Sequence, residues 1–440
     1  MLTRIRVQGY KSLRDVEVTL PELVLLIGPN AAGKSNFLDC LQLLSKLTTA
    51  RTLKEAFEPP YRGKPLESFT FGPDGVRGSL ACETLRFSIE VDIRLSRQVV
   101  DTVNRQIRDM RRTTPTGPDA GEDPKGLVRE KYLRYRIEIE MVPRSGFLRV
   151  ADEYLAALSE NGEPTKRRQP FLSSDGTKLT LRLEGQGHPV YHELLLDHSI
   201  LSLPHYPPHY PHLVAARKEF ESWLFFYFEP RERMRSSNAV KEVRHIGQMG
   251  EELASYLNTL KILNPGQFDN LRRSLRQILP HTDGIGVEVN TLGEVELTLT
   301  ENGIPIPARL LSEGTLRILG LLALGGAGEQ PSLVGFEEPE NGIHPQRIGT
   351  VAELLKNRAD DGETQYIVTT HSPLLPSLVP EQALFVCRRT KGTTGITPFS
   401  VSPGPLFRQP EIDGAPIDSA LADAEPLSMA DRMQRGDFSD

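Results

Sequence analysis

Cysteine is scarce in this 440-residue chain: Cys40, Cys82 and Cys387 stand far apart among apolar neighbours. That spacing excludes a disulfide framework and a CxxC metal site, and it suits a reducing, cytoplasmic compartment with buried thiols. Tryptophan occurs once. No apolar run approaches the roughly 18 residues needed to span a bilayer, so nothing here is expected to cross a membrane. The opening stretch Met1–Val7 alternates like a strand and lacks an apolar signal region, so no secretion signal is expected. Positive charge is not in excess. With a net charge of −6, any contact with nucleic acid must come from a local patch. Sustained heptads are also missing. Pro and Gly interrupt the chain repeatedly between Ser35 and Ser312, which excludes long coiled-coil arms.

What is present is an ordinary hydrophobic fraction of 38% and a length sufficient for two or three domains, or one large α/β domain with insertions. The chain is organised around Gly28-Pro29-Asn30-Ala31-Ala32-Gly33-Lys34-Ser35 and the Asn36 that follows. This fits the G-x-x-x-x-G-K-[ST] phosphate-binding loop without a gap. Its flanks also fit, because Leu23 to Ile27 is a short buried-strand run and Phe37, Leu41, Leu44 and Leu47 repeat at helical spacing. Glycines let backbone N–H groups close around a triphosphate, and the helix N-terminus favours its charge. Lys34 can reach the β- and γ-phosphates, and the Ser35 hydroxyl can ligate Mg²⁺.

Ahead of the loop, residues 2 to 20 read as two strands joined around Ser12 and Asp15. Behind its helix, 72 to 78 reads as a turn, and Leu85, Phe87, Ile89, Val91 and Ile93 alternate as a half-buried strand of an antiparallel sheet. Residues 99 to 131 carry Arg105, Arg108, Arg111 and Arg112 and then a Pro/Gly/Thr stretch at 114 to 124, read as a solvated charged insertion with a mobile loop. Alternation returns at Tyr135, Ile137, Ile139 and Met141. His205, His209 and His212 lie among four prolines, which favours an extended linker over a metal site. Trp223 to Phe228 reads as a central strand, followed by a basic loop with Arg231, Arg233 and Arg235. Helical spacing runs through 249 to 279, broken at Pro265-Gly266, and a strand pair covers Ile285 to Val289 and Val295 to Leu299.

Three further motifs bear chemistry. Ser312 in Leu311-Ser312-Glu313-Gly314-Thr315 can cap the apolar helix that follows, and Gly314 keeps the first turn bare for an anion. Ser332 to Phe336 is an apolar strand ending in Glu337-Glu338-Pro339-Glu340. Of these two adjacent carboxylates, one can hold Mg²⁺, directly or through water, while its neighbour polarises an attacking water. The next strand ends at Thr369-Thr370-His371-Ser372-Pro373, where His371 can donate a hydrogen bond to a phosphate.

GPNAAGKSN, LSEGT, FEEPENGIHP and TTHSP, in that order, resemble the ABC-type ATPase core shared by RecF, SMC-like and OLD-family proteins. The likeness extends to stand-alone AAA family ATP-binding proteins, including ATPase subunits of some anti-phage systems. It covers roughly 1 to 98 and 285 to 400. The resemblance implies an α/β P-loop NTPase of the ABC-type ATPase head, with a mixed sheet, an antiparallel β subdomain and a helical lobe. The expected divisions are 1–98 and 285–401 for the two parts of the head, 99–222 for the insertion, 223–284 for a strand plus the helical lobe, and 402–440 for an acidic, flexible tail.

The same likeness implies ATP hydrolysis across two copies joined head to tail, with Ser312 and Gly314 of one reaching ATP held on Gly28 to Asn36 of the other. Glu338, Lys34 and His371 take the catalytic roles, and Ser35 and Glu337 hold the metal, although Asp is usual where Glu337 stands. The implied partners are nucleic acid and a separate effector or nuclease subunit, as in DNA repair or antiviral defence. Only 69 residues follow His371 and they contain no D-x-D pair, so no nuclease site is expected in the chain itself. A transporter's nucleotide-binding subunit and a regulatory ATP-binding scaffold with little turnover share the same motifs.

Overall fold

The computed structural model describes residues 1–112, 127–165, 168–184, 188–328 and 330–401. The loop expected at 114 to 124 and the tail expected from 402 lie outside the described residues.

The chain begins with β1 (Leu2–Tyr10) and β2 (Leu13–Thr19), a hairpin whose Ile5, Val7, Val16 and Val18 bury one face. β3 (Leu23–Ile27) is buried at every position and delivers the phosphate loop into α1 (Lys34–Leu47). Two short helices, α2 (Leu53–Ala56) and α3 (Gly75–Ala81), precede β4 (Leu85–Arg94). A helix therefore begins where the sequence suggested a turn. Next comes α4 (Arg97–Arg112), a regular helix rather than a loop. Val99, Val103 and Ile107 are buried on it at four-residue spacing, an apolar stripe masked in the sequence by the surrounding arginines.

β5 (Tyr132–Val142) and β6 (Phe147–Ala157) form a long hairpin, continued by β7 (Leu172–Ser174), β8 (Lys178–Leu181) and β9 (Val190–Glu193). These strands join one eight-stranded antiparallel sheet in the order β2-β1-β4-β5-β6-β7-β8-β9. β4 and β5 pair from Leu85↔Met141 to Arg94↔Tyr132, across the division expected at residue 98.

The expected linker through the three histidines ends in α5 (Pro211–Glu221), with Pro211 in its first turn. His212 is fully buried there. Its ring stacks on Phe171, its Nδ1 lies 2.6 Å from Glu184, and its Nε2 accepts from the backbone N–H groups of Arg129 and Glu130. An Nε2 that accepts twice leaves the proton on Nδ1, so this histidine pins the return of the chain at 129–130 to α5. Cys82 is exposed, unlike the other two cysteines, because it ends the short helix α3 at the surface.

Among the described residues β10 (Trp223–Phe226) pairs only with β15 (Leu333–Glu337), so it lies at the sheet edge and not at its centre. Its apolar run reflects cover from α1 and the neighbouring aromatic residues; periodicity cannot tell a covered edge strand from a central one. Between these two strands lie β11 (Asn238–Ala239), α6 (Leu253–Leu263), α7 (Pro265–Ile278), β12 (Thr282–Val289), β13 (Glu294–Glu301), β14 (Ile304–Pro307) and α8 (Glu313–Ala323). Strands β11 to β14 make a small separate sheet. After β15 the chain forms α9 (Ile348–Asp360), β16 (Gln365–Thr369), β17 (Leu384–Thr390) and β18 (Thr393–Pro398).

The six-stranded sheet runs β10-β15-β16-β3-β17-β18, parallel except for the last pair. One face of it, with Val24, Leu26 and Ile367, packs with α1 against the antiparallel sheet. The other, with Leu25, Ile27, Phe336 and Val368, packs against the helices α6 to α9. Burial on both faces is why β3, β15 and β16 read as unbroken apolar runs. Their C-terminal ends lie side by side, so Gly28, Glu338 and Thr370 emerge from adjacent strands. Among the described residues no helix is long and apolar enough to cross a membrane.

Candidate nucleotide site

The phosphate loop keeps its shape because its glycines cannot be replaced. A Cβ on Gly28, at φ +149°, would lie 2.3 Å from the carbonyl oxygen of Cys387. One on Gly33, at φ +104°, would lie 2.1 Å from Thr394 Oγ1. Thr394 belongs to β18 and is itself held: its hydroxyl donates to Ala32 O at 2.8 Å and lies 2.7 Å from Ser12 Oγ, to which Asn36 Nδ2 donates. The hairpin β17–β18 therefore braces the loop from outside. Within it, Pro29 is half-buried, Asn30 and Ala31 are exposed, Ala32 is buried, and Ala31 also takes a positive φ.

Lys34 is buried, and Nζ donates to Gly28 O at 2.6 Å and Pro29 O at 2.9 Å, so its ammonium lies in the mouth of the loop. Burial lowers its pKa, and Cys387, Glu338 and Glu337 oppose that shift. Ser35 is exposed at the first turn of α1.

The carboxylates arrive on β15. Glu337 is the last residue of that strand and pairs with Thr369. Glu338 follows with φ +47°, a left-handed conformation uncommon for a residue with a side chain, and its N–H donates to Thr369 O at 3.0 Å. His371 Nε2 lies 3.3 Å from Glu338 Oε1. The imidazole pKa is lowered by burial and then by Lys34, against the pull of Glu338 and Glu337. Lys34, Glu337, Glu338 and His371 thus share one electrostatic site. Glu340 joins the two strand-end loops, accepting at Oε1 from Thr370 Oγ1 and from Ser372 N–H, with its carboxyl pKa raised by burial.

Ser312 and Gly314 sit elsewhere. Ser312 caps α8, accepting from Thr315 N–H at 3.1 Å, and it lines a cavity with Leu279, His281 and Arg347. A Cβ on Gly314 would lie 2.9 Å from Gly342 O, so this residue packs against the loop that follows Glu338. The basic loop after β10 serves this segment too, because Arg231 ion-pairs with Glu313 and Arg235 donates to Leu311 O.

Two features had no signal in the sequence. A cavity of about 640 Å³ adjoins the loop, lined by Lys11, Ser12, Arg14, Asn36 and Arg389, a size that fits a nucleoside. Beside it runs a chain of ion pairs, from Lys11 to Asp39 on α1 at 2.8 Å, from Asp39 to Arg62, and from Arg62 to both carboxylate oxygens of Glu337. Arg62 lies in an aperiodic Pro/Gly loop, where spacing carries no information.

The residues fit ATP and Mg²⁺: two glycine positions that a Cβ would fill, a lysine in the loop mouth, and hydroxyl and carboxylate oxygens suited to a hard cation. Among the described residues no group of three or more His, Cys, Asp or Glu could hold a metal alone.

Residues 153–377 match the family described as "AAA domain, putative AbiEii toxin, Type IV TA system", and residues 1–111 match "AAA ATPase domain". The OLD nuclease of Thermus scotoductus is 22% identical over 404 residues, which cover 89% of this chain and 62% of that protein. The chain therefore spans less than two thirds of that relative's length. Among solved structures, the SmcHead bound to the C-winged helix domain of ScpA aligns at 11% identity with a TM-score of 0.48, covering 90% of this chain and 97% of that one. The SMC head domain from Thermotoga maritima aligns at 14% identity with a TM-score of 0.39, covering 90% and 98%. The first family match takes in more than half of the chain, and the second contains the phosphate loop. The chain belongs to that AAA-domain family.

Proposed function

We propose that this chain binds ATP with Mg²⁺ on Gly28 to Asn36 and hydrolyses it as a conformational switch formed by two copies joined head to tail. The observation that carries the reading is the convergence of Lys34, Glu338 and His371 at the ends of three adjacent strands, with Glu338 held in a strained conformation 3.3 Å from His371. Lys34 offers its ammonium to the phosphates and Glu338 orients the attacking water. His371, whose pKa is lowered by burial and then by Lys34, donates a ring N–H to a phosphoryl oxygen. A divalent cation on Ser35 and Glu337 would supply further charge stabilisation. The base and ribose lie in the cavity lined by Lys11, Ser12 and Asn36.

The second copy enters because Ser312 and Gly314 make their contacts within α8 and with the loop at Gly342, leaving the exposed Ser312 free to meet another chain's phosphate loop. The output is an action on nucleic acid, or a nucleic-acid state relayed to an effector or nuclease subunit, in a cytoplasmic repair or antiviral role. This part is supported by the likeness to a protein named as a nuclease. The arginine loop at 231–235 lends it little, since two of its guanidinium groups bind the Ser312 segment.

The test is steady-state ATP hydrolysis across a protein concentration series, with and without single- and double-stranded DNA. Turnover per chain that rises with concentration and with DNA supports the whole reading. Turnover that rises with concentration and ignores every nucleic acid removes the nucleic-acid part. Equal turnover per chain at nanomolar and micromolar protein overturns the two-copy site.

A further inference from the structure

Glu337 is placed to ligate a metal, yet both of its oxygens are already engaged. Arg62 Nη1 donates to Oε2 at 3.0 Å and Nη2 donates to Oε1, the two-pronged arrangement that makes arginine–carboxylate pairs strong. Arg62 is also anchored from behind. Asp39 Oδ1 accepts from its Nε at 3.0 Å, and Lys11 holds the other oxygen of Asp39 at 2.8 Å. Asp39 is buried on α1 and Glu337 is buried on β15, whereas the Arg62 side chain is 44% exposed on a loop, so the guanidinium is the movable member. The forked guanidinium takes a lone pair on each carboxylate oxygen, and its positive charge opposes a divalent cation brought to the same group. The extra CH₂ of Glu337 relative to Asp extends the carboxylate towards Arg62, which gives a Glu at this position a structural use.

We infer that Arg62 is a built-in competitor of the divalent cation for Glu337, so that the metal loads more readily when the guanidinium is off the carboxylate. The device rests on the nucleotide-binding reading above and makes the site demand more metal than its oxygens alone would. It also adds a role for Asp39, which sets how firmly the competitor is held, and for Lys11, which lies in the wall of the nucleoside-sized cavity.

The experiment needs no turnover. Mn²⁺ is titrated into the ADP-loaded chain and free Mn²⁺ is read by electron paramagnetic resonance, for the parent, Arg62→Gln and Arg62→Lys. Arg62→Gln should lower the half-saturating Mn²⁺ concentration by at least about threefold, the scale of one partly exposed ion pair. Arg62→Lys keeps the charge and loses the fork, so it should fall between the two. Mn²⁺ binding that is unchanged or weaker in Arg62→Gln, with ADP still bound, overturns the competitor while leaving the nucleotide reading intact. Failure of the parent to bind a fluorescent ADP overturns both. Thermal melts establish that each variant is folded, and Arg62→Lys alone decides the matter if Arg62→Gln is not.

Discussion

His371 Nε2 and Glu338 Oε1 lie 3.3 Å apart, on loops that leave adjacent parallel strands. Both residues lie outside the phosphate loop, which follows β3. Glu338→Gln keeps the shape and removes the base, so turnover should fall by about 10²- to 10⁴-fold while ATP binding changes little. Single-turnover hydrolysis alongside equilibrium binding checks this, and parental turnover would remove Glu338 from the catalytic role.

Gly33→Ala should damage the loop through its brace. The new Cβ would lie 2.1 Å from Thr394 Oγ1 at a backbone φ of +104°, and Thr394 cannot retreat without breaking its bonds to Ser12 and Ala32. A loss of about 1–3 kcal/mol in stability is expected, with weakened ADP binding. Chemical denaturation and a fluorescent-ADP titration measure the two effects.

A mixing experiment separates a shared site from an independent one. Lys34→Ala removes the ammonium from the loop mouth, and Ser312→Arg blocks the capped end of α8. Each variant alone should lose at least about 10²-fold in turnover. Their mixture should recover a measurable part of it, because a mixed pair contains one site with both elements intact. No recovery at any ratio argues against the head-to-tail arrangement.

Far from the site, Glu153 is fully buried and accepts from Tyr135 and Ser199 hydroxyls and from the N–H groups of Ile200 and Leu201. Burial raises its carboxyl pKa against the pull of those hydrogen bonds. A carboxyl raised on folding contributes stability that is complete below the ordinary glutamate value of about 4.3 and is lost as pH rises through the folded value. Melting curves taken upward in pH from the ordinary glutamate value should show this fall in the parent, and Glu153→Gln should flatten it. The same variant turns an amide N–H₂ towards backbone donors, costing about 1–3 kcal/mol at acidic pH. A parental pH slope in Glu153→Gln would place the titration elsewhere.

Local order in the sequence determined the phosphate loop, the capped helix at Ser312, the paired carboxylates and the histidine, because each is a short segment whose strand, turn and helix signals are contiguous. It also determined the parallel strands β3, β15 and β16, whose unbroken apolar runs follow from burial on two faces. Other features needed the tertiary structure. Whether the Trp223–Phe226 run lies at the edge or the centre depends on partners distant in sequence. The buried stripe of α4 was hidden by its own arginines. The grip of Arg62 on Glu337 joins residues 275 positions apart, and the brace of Thr394 on Gly33 crosses almost the whole chain. Contacts of that range leave no periodicity behind, since they are fixed by how the layers stack and not by what any one segment prefers.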